Sequence, residues 1–183
     1  PIDRAVLGPE LAADLASELS ADVVVNGITG SAGLMATLSA LRAGSKLALA
    51  NKESLIVGGS LVTKLAAKDQ ILPVDSEHSA IAQCLMAGQK SEVSRLILTA
   101  SGGPFRNMSR ADLENGTPAQ ALKHPPRSMG KVITTHSATL VNKGPEVIEA
   151  HILFAIGFEN IAITDHPKPP LHHLIECYEH LVI

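Results

Sequence analysis

The chain has 183 residues, 45% of them hydrophobic, enough for one or two small domains burying ~70% of the surface the unfolded chain exposes. With three Phe, one Tyr and no Trp, its core must be built from Ala, Leu, Ile and Val. A formal charge of −3, with both signs dispersed, offers no basic stripe or arm, so neither nucleic acid nor an anionic membrane is an expected partner.

Residues 21–66 alternate in character. A buried strand is predicted at 21–26, a helix at 33–43, a strand at 45–50 and a helix at 54–66, a βαβα order that implies a parallel sheet covered by helices. A strand at 71–74, a helix at about 77–87 and a strand at 93–100 follow. Between Pro104 and Lys131 the periodicity breaks at Pro104, Pro118, Pro125, Pro126, Gly116 and Gly130, which predicts a long loop with short helices, of the kind that serves as a lid. Ser137 reads as the N-cap of a helix running towards Ala155. A short strand at 161–164 and the stiff connector His166-Pro-Lys-Pro-Pro170 precede a weakly patterned tail.

Cys84 and Cys177 are far apart and lack metal-ligand spacing, so free thiols in a reducing compartment, the cytoplasm, are expected. The longest apolar run, 152–158, is far short of the ~20 residues of a membrane-spanning helix. Because the chain starts with Pro, further residues are expected upstream in the natural gene product.

Several constellations could carry chemistry. Gly27-Ile-Thr-Gly30-Ser-Ala-Gly33 follows a predicted strand and opens a helix, the setting of a phosphate cradle made of backbone N–H groups and a positive helix end. An ordinary βα turn needing glycine torsions is the alternative, because Asn51-Lys52-Glu53 stands where a ribose-binding acid is expected. Asn51-Lys-Glu-Ser54 lies at a strand's C-terminal edge, where ligands bind in open α/β sheets, or simply caps a helix. In Asp75-Ser76-Glu77, carboxylates two residues apart at a strand end would point the same way and share a hard cation; taken without other signals, a capped helix start with exposed acids is the reading to prefer. Ser101-Gly-Gly-Pro104, Ser137 and Asn142-Lys143 are hydroxyls, an amide and a cation suited to a phosphate. Asn142, Glu146 and Glu149 share one helical face.

The order of Ala50-Asn-Lys-Glu-Ser-Leu55, Pro73-Val-Asp-Ser-Glu-His-Ser79, Leu98-Thr-Ala-Ser-Gly-Gly-Pro-Phe-Arg106, His124-Pro-x-x-Ser-Met-Gly130 and Ser137-Ala-Thr-x-x-Asn-Lys-Gly-x-Glu146-x-Ile-Glu149 closely resembles the 1-deoxy-D-xylulose 5-phosphate reductoisomerase family. The likeness runs from about Asp22 to His172 and covers around half of a full member. It implies an α/β protein, an incomplete Rossmann-like parallel sheet followed by an α+β catalytic domain with a lid loop. Residues 1–68 would be the C-terminal part of an NADPH-binding domain, 69–165 the catalytic metal and phosphosugar domain, and 166–183 a connector and divergent tail. The resemblance implies a divalent ion (manganese, magnesium or cobalt) held by Asp75, Glu77 and Glu146. Phosphate would be held by Ser101, Ser137, Asn142 and Lys143, and the rest of the sugar by Lys52, Ser76 and His124. Lys52, Glu77 and His124 would be catalytic, and Asn51, Glu53 and Gly130 would touch NADPH. The implied reaction rearranges 1-deoxy-D-xylulose 5-phosphate and reduces it to 2-C-methyl-D-erythritol 4-phosphate, an early step of non-mevalonate isoprenoid synthesis, in a protein that is a homodimer when complete.

In the family the main phosphate-gripping glycine loop follows an earlier strand, so the chain is expected to lack that strand and loop, and the C-terminal helical part as well. Arg127 stands where the family has Trp, His136 where it has Asp or Asn, and Lys168-Pro169 replaces a polar pair. Pro145 precedes Glu146, where inside a helix it costs ~3 kcal/mol and removes a backbone bond; if the helix instead restarts with Pro145 at its first position, Glu146 can still point inward. Two further readings stand beside the reductoisomerase: an inactive remnant that binds at most a divalent ion or phosphosugar, and a separate dehydrogenase using 27–33 as its whole cofactor loop.

Overall fold

The computed structural model of the chain describes residue 8 and residues 10–100, 103–122, 131–165 and 173–178. The chain divides into two units, Pro1–Ser79 and Ala80–Ile183.

The first unit opens with α1 (Leu11–Glu18), followed by β1 (Val23–Asn26), a 3-10 turn (Gly30–Gly33), α2 (Leu34–Arg42) and β2 (Lys46–Leu49). It continues with α3 (Lys52–Gly58), α4 (Ser60–Leu65) and β3 (Ile71–Pro73). The strands form one parallel sheet in the order β1-β2-β3, with Val24 opposite Leu47 and Ala48 opposite Leu72, as the βαβα pattern predicts. Leu38 and Leu41 of α2, Leu47 and Leu49 of β2, Leu55 of α3 and Val62 of α4 are all buried, an aliphatic core without an aromatic ring. At roughly 25 cal/mol per Å² of apolar surface, each such leucine stabilises the unit by about 2 kcal/mol. Gly44 (φ 82) ends α2 in the left-handed conformation that glycine adopts without strain.

One predicted helix, 54–66, is in fact two. Gly59 (φ 42, ψ −117) stands between α3 and α4 in a region closed to side chains, and a Cβ on Gly58 would lie 2.6 Å from Val62 and 2.7 Å from Leu34. The close approach of these helices breaks the segment although its apolar period runs on.

The second unit is built on β4 (Val93–Ala100), flanked in the order β5-β4-β6 by β5 (Ile161–Asp165), parallel, and β6 (His173–Cys177), antiparallel. The strand β6 lies in the tail that reads as weakly patterned; pairing with β4 makes it a strand, with Ile175 opposite Leu96. The helix α5 (Ser76–Cys84) spans the boundary between the units, and Ile81, Leu96, Leu98, Ala150 and Ile175 form the second unit's core. The long loop contains two short helices, α6 (Arg110–Leu113) and α7 (Pro118–Ala121), each opened by a capping box, Ser109 with Asp112 and Thr117 with Gln120.

The single helix predicted from Ser137 is replaced by α8 (Lys131–Ala138) and α9 (Lys143–Phe154), so Ser137 sits in a last turn rather than at an N-cap. Leu140 (φ 59) makes the joint, a left-handed conformation that costs a branched side chain energy and is held by Leu140 N–H donating to Ser137 O and Asn142 N–H donating to His136 O. Among the described residues no helix is long and apolar enough to cross a membrane.

Candidate active site

In the first unit two buried asparagines shape the glycine turn. The Asn26 amide, at the end of β1, donates to Gly33 O (2.9 Å) and Thr37 Oγ1 (2.8 Å), and its side-chain oxygen accepts from Ile28 N–H (3.1 Å). Asn51 caps α3 by accepting from Ser54 N–H (2.6 Å) and donates to Gly30 O (2.9 Å) and to Ile28 O. Both of its amide hydrogens are therefore committed to the turn. A Cβ on Gly33 would lie 3.0 Å from both Ile28 O and Ser54 Oγ, so close approach is the reason for that glycine. Glu53 is half-buried in the first turn of α3, an acid at the positive end of the helix.

Lys52, next to Asn51, forms an ion pair with Asp75 Oδ2. Asp75 and Glu77 offer carboxylate oxygens within 4.8 Å of each other, and Ser76 Oγ donates to Glu77 Oε2 (2.5 Å). The strand pleat does not bring them together, contrary to the sequence expectation: β3 stops at Pro73 and α5 begins at Ser76, so Asp75 precedes the helix and Glu77 lies in its first turn. A helix start favours both carboxylates through its dipole, yet Asp75 and Glu77 are half-buried, not the exposed acids of a plain cap. His78, wholly buried, places Nδ1 4.0 Å from Asp75 Oδ2.

In the second unit Lys143, Glu146 and Glu149 line one face of α9 and are 7%, 2% and 1% exposed. Lys143 pairs with Glu146 Oε2, and the Asn142 amide donates to Glu146 Oε1. A lysine at a helix N-terminus opposes the helix dipole, so Lys143 is held there by the carboxylate rather than by the helix. Pro145 is the third residue of α9, not the first; in the opening turn its missing N–H has no helical partner to lose, and Glu146 keeps its inward aim. Ser137 is half-buried beside this joint. A Cβ on Gly103 would lie 2.6 Å from Ala138 Cα and 2.7 Å from Ser137 O, so Gly103 itself is laid directly on the end of α8.

The structure thus joins Lys52, Asp75, Ser76 and Glu77 in one unit and Ser137, Asn142, Lys143 and Glu146 in the other. Ser101, His124, Arg127 and Gly130 lie outside the described residues, as do His166 and Lys168-Pro169. Asn26 and His78 carry structural weight that the sequence reading does not assign them. His78 stands inside the motif Pro73-Val-Asp-Ser-Glu-His-Ser79, and Asn26 is a polar residue ending an apolar strand.

The family model described as the 1-deoxy-D-xylulose 5-phosphate reductoisomerase C-terminal domain matches residues 71–154, and that described as 1-deoxy-D-xylulose 5-phosphate reductoisomerase matches residues 3–59. The reductoisomerase of Arthrobacter sp. (strain FB24) is 56% identical over 178 residues, 97% of this chain and 45% of the relative. That of Leifsonia xyli subsp. xyli (strain CTCB07) is 60% identical over 162 residues, 88% of this chain and 45% of the relative. A solved DOX-P reductoisomerase in complex with NADPH, fosmidomycin and magnesium aligns with a TM-score of 0.87 at 41% identity, over 96% of this chain and 46% of its own. The Zymomonas mobilis enzyme in complex with NADPH aligns with a TM-score of 0.85 at 41% identity, over 96% and 45%. The chain spans about half the length of the curated relatives it matches.

Proposed function

The chain belongs to the 1-deoxy-D-xylulose 5-phosphate reductoisomerase family, and from that premise we propose that it carries the metal and phosphate ligands and part of the cofactor site of an NADPH- and divalent-metal-dependent enzyme. The reaction is conversion of 1-deoxy-D-xylulose 5-phosphate to 2-C-methyl-D-erythritol 4-phosphate in non-mevalonate isoprenoid synthesis. Residues 1–68 are assigned to the nucleotide domain, 69–165 to the catalytic domain and 166–183 to a connector and tail. The working protein is a cytoplasmic homodimer.

Asp75, Glu77 and Glu146 are the residues that would hold the cation. They fit it, because carboxylate oxygens are hard donors, and the Asp75 and Glu146 carboxylates, withdrawn from water, already carry a positive partner. A bound divalent ion supplies Lewis-acid polarisation of the substrate's keto and hydroxyl oxygens. Ser101, Ser137, Asn142 and Lys143 bind the phosphate, while Lys52, Ser76 and His124 orient the sugar chain. Glu53 and Gly130 contact NADPH. Asn51 contributes mainly by shaping the turn 27–33, since its amide hydrogens are engaged with Ile28 and Gly30.

The observation that carries this reading is the Asp75 and Glu77 carboxylate pair at the start of α5, held together with a lysine already seated on it. Calorimetric titration with Mn²⁺ tests it. Asp75→Asn is expected to weaken binding by about 100-fold or more while the far-UV circular dichroism stays that of the parent; unchanged affinity sinks the assignment. Consumption of NADPH with the deoxyxylulose phosphate supports a working enzyme, and metal and phosphosugar binding without it supports a remnant.

A further inference from the structure

Each unit seats a lysine on a carboxylate that the proposed function gives to the metal. Lys52 occupies Asp75 Oδ2, and Lys143 occupies Glu146 Oε2 while Asn142 takes Oε1. The same three side chains are those the proposed function gives to the sugar phosphate. They cannot serve both partners at full strength, because an ammonium group committed to a buried carboxylate is not available to an incoming anion.

We propose that the divalent ion works as a release device. When the carboxylates take the ion, Lys52 leaves Asp75, and Lys143 with Asn142 leaves Glu146, so that these substrate-binding groups, the phosphate ligands Lys143 and Asn142 among them, are freed only once the metal is in place. The inference rests on the metal-site reading. A dication in direct contact with carboxylate oxygens outcompetes an ammonium group for them and then repels it. Lys143 is primed for the exchange. It stands at the N-terminus of the twelve-residue α9, whose positive end repels the lysine and attracts a phosphate. Glu146 is therefore the latch on the phosphate site, and metal and phosphate bind cooperatively, each favouring the other by the same factor.

The test uses the intact chain, with inorganic phosphate as the probe. In EDTA, Glu146→Gln removes the latch and is expected to bind phosphate about tenfold more tightly than the parent. Glu149→Gln, which removes a negative charge one turn further along the same buried face, is the control for a mere field effect and is expected to change phosphate affinity far less. Should Glu146→Gln fail to fold, the parent suffices. Acylation of lysine amines followed by mass spectrometry is expected to proceed about tenfold faster at Lys143 and Lys52 with saturating Mg²⁺ than in EDTA, with no phosphate present. If Mn²⁺ binds the parent and not Asp75→Asn, yet lysine reactivity is the same with and without Mg²⁺, the release idea is overturned and the metal site stands. Equal phosphate affinity for Glu146→Gln and the parent in EDTA also overturns it. If the parent binds no Mn²⁺, the metal-site reading falls, and this inference falls with it.

Discussion

In the second unit the lysine and its carboxylate are neighbours on one helix, Lys143 and Glu146 three residues apart. In the first they come from separate segments, Lys52 from the start of α3 and Asp75 from the turn just ahead of α5. The first pair meets because β2 and β3 lie side by side with Leu49 opposite Pro73, so the chain leaves both strands at one edge of the sheet. Burial differs accordingly. The Lys143 and Glu146 side chains are 9% and 3% exposed, those of Lys52 and Asp75 15% and 13%. A pair made within one helical turn needs only one element in place and can be sunk deep; a pair made across a sheet keeps more water and depends on strand register.

The sharpest way to break this contrast is Lys143→Met, which leaves Glu146 buried without its cation. A loss of about 3–5 kcal/mol is expected, read as a lowered urea midpoint in EDTA at constant slope. In the same assay Lys52→Met should cost less, about 1–2 kcal/mol, because the Asp75 side chain is less deeply buried than that of Glu146; equal losses would erase the distinction between the units. The smallest effect is expected on the surface of the second unit. There Ser109, through its hydroxyl and its N–H, holds the Asp112 carboxyl below its ordinary value. A lowered folded-state pKa contributes stability that is present above the ordinary value and lost as pH falls through the lowered one. In Ser109→Ala the Asp112 pKa, followed by NMR, should rise. The stability gap to the parent should be widest near neutral pH and narrow in acid; a gap that does not narrow would mean that only the helix cap was lost.

How far these features could be read in advance depended on range. The strand β4 and those of the first sheet are short apolar runs bounded by turn residues, and in the first sheet the alternation of strand and helix alone implies parallel pairing. The break at Gly59 was hidden because the apolar period continues through it, while the torsion is demanded by the approach of Gly58 to Val62 and Leu34. The joint at Leu140 carries no glycine or proline, so nothing local announces a left-handed residue there. The strand β6 exists through pairing with β4, and a short segment of mixed polarity does not declare such a partner. At the site, the carboxylates and lysines were legible as residue types in order. That Asp75 and Glu77 meet at a helix start, and that Asn51 spends its amide on a turn, was not.

By itself the sequence determined the family, the alternation of strands and helices, and the chemical inventory of carboxylates, lysines, serines and asparagines, because motif order and hydrophobic period are local properties of the chain. Only the tertiary structure decided which cation sits on which carboxylate, where the helices break, and that Pro145 falls in an opening turn where it does no harm to Glu146. Those outcomes depend on desolvation and on close approach between segments distant in sequence, and both arise only once the elements have packed.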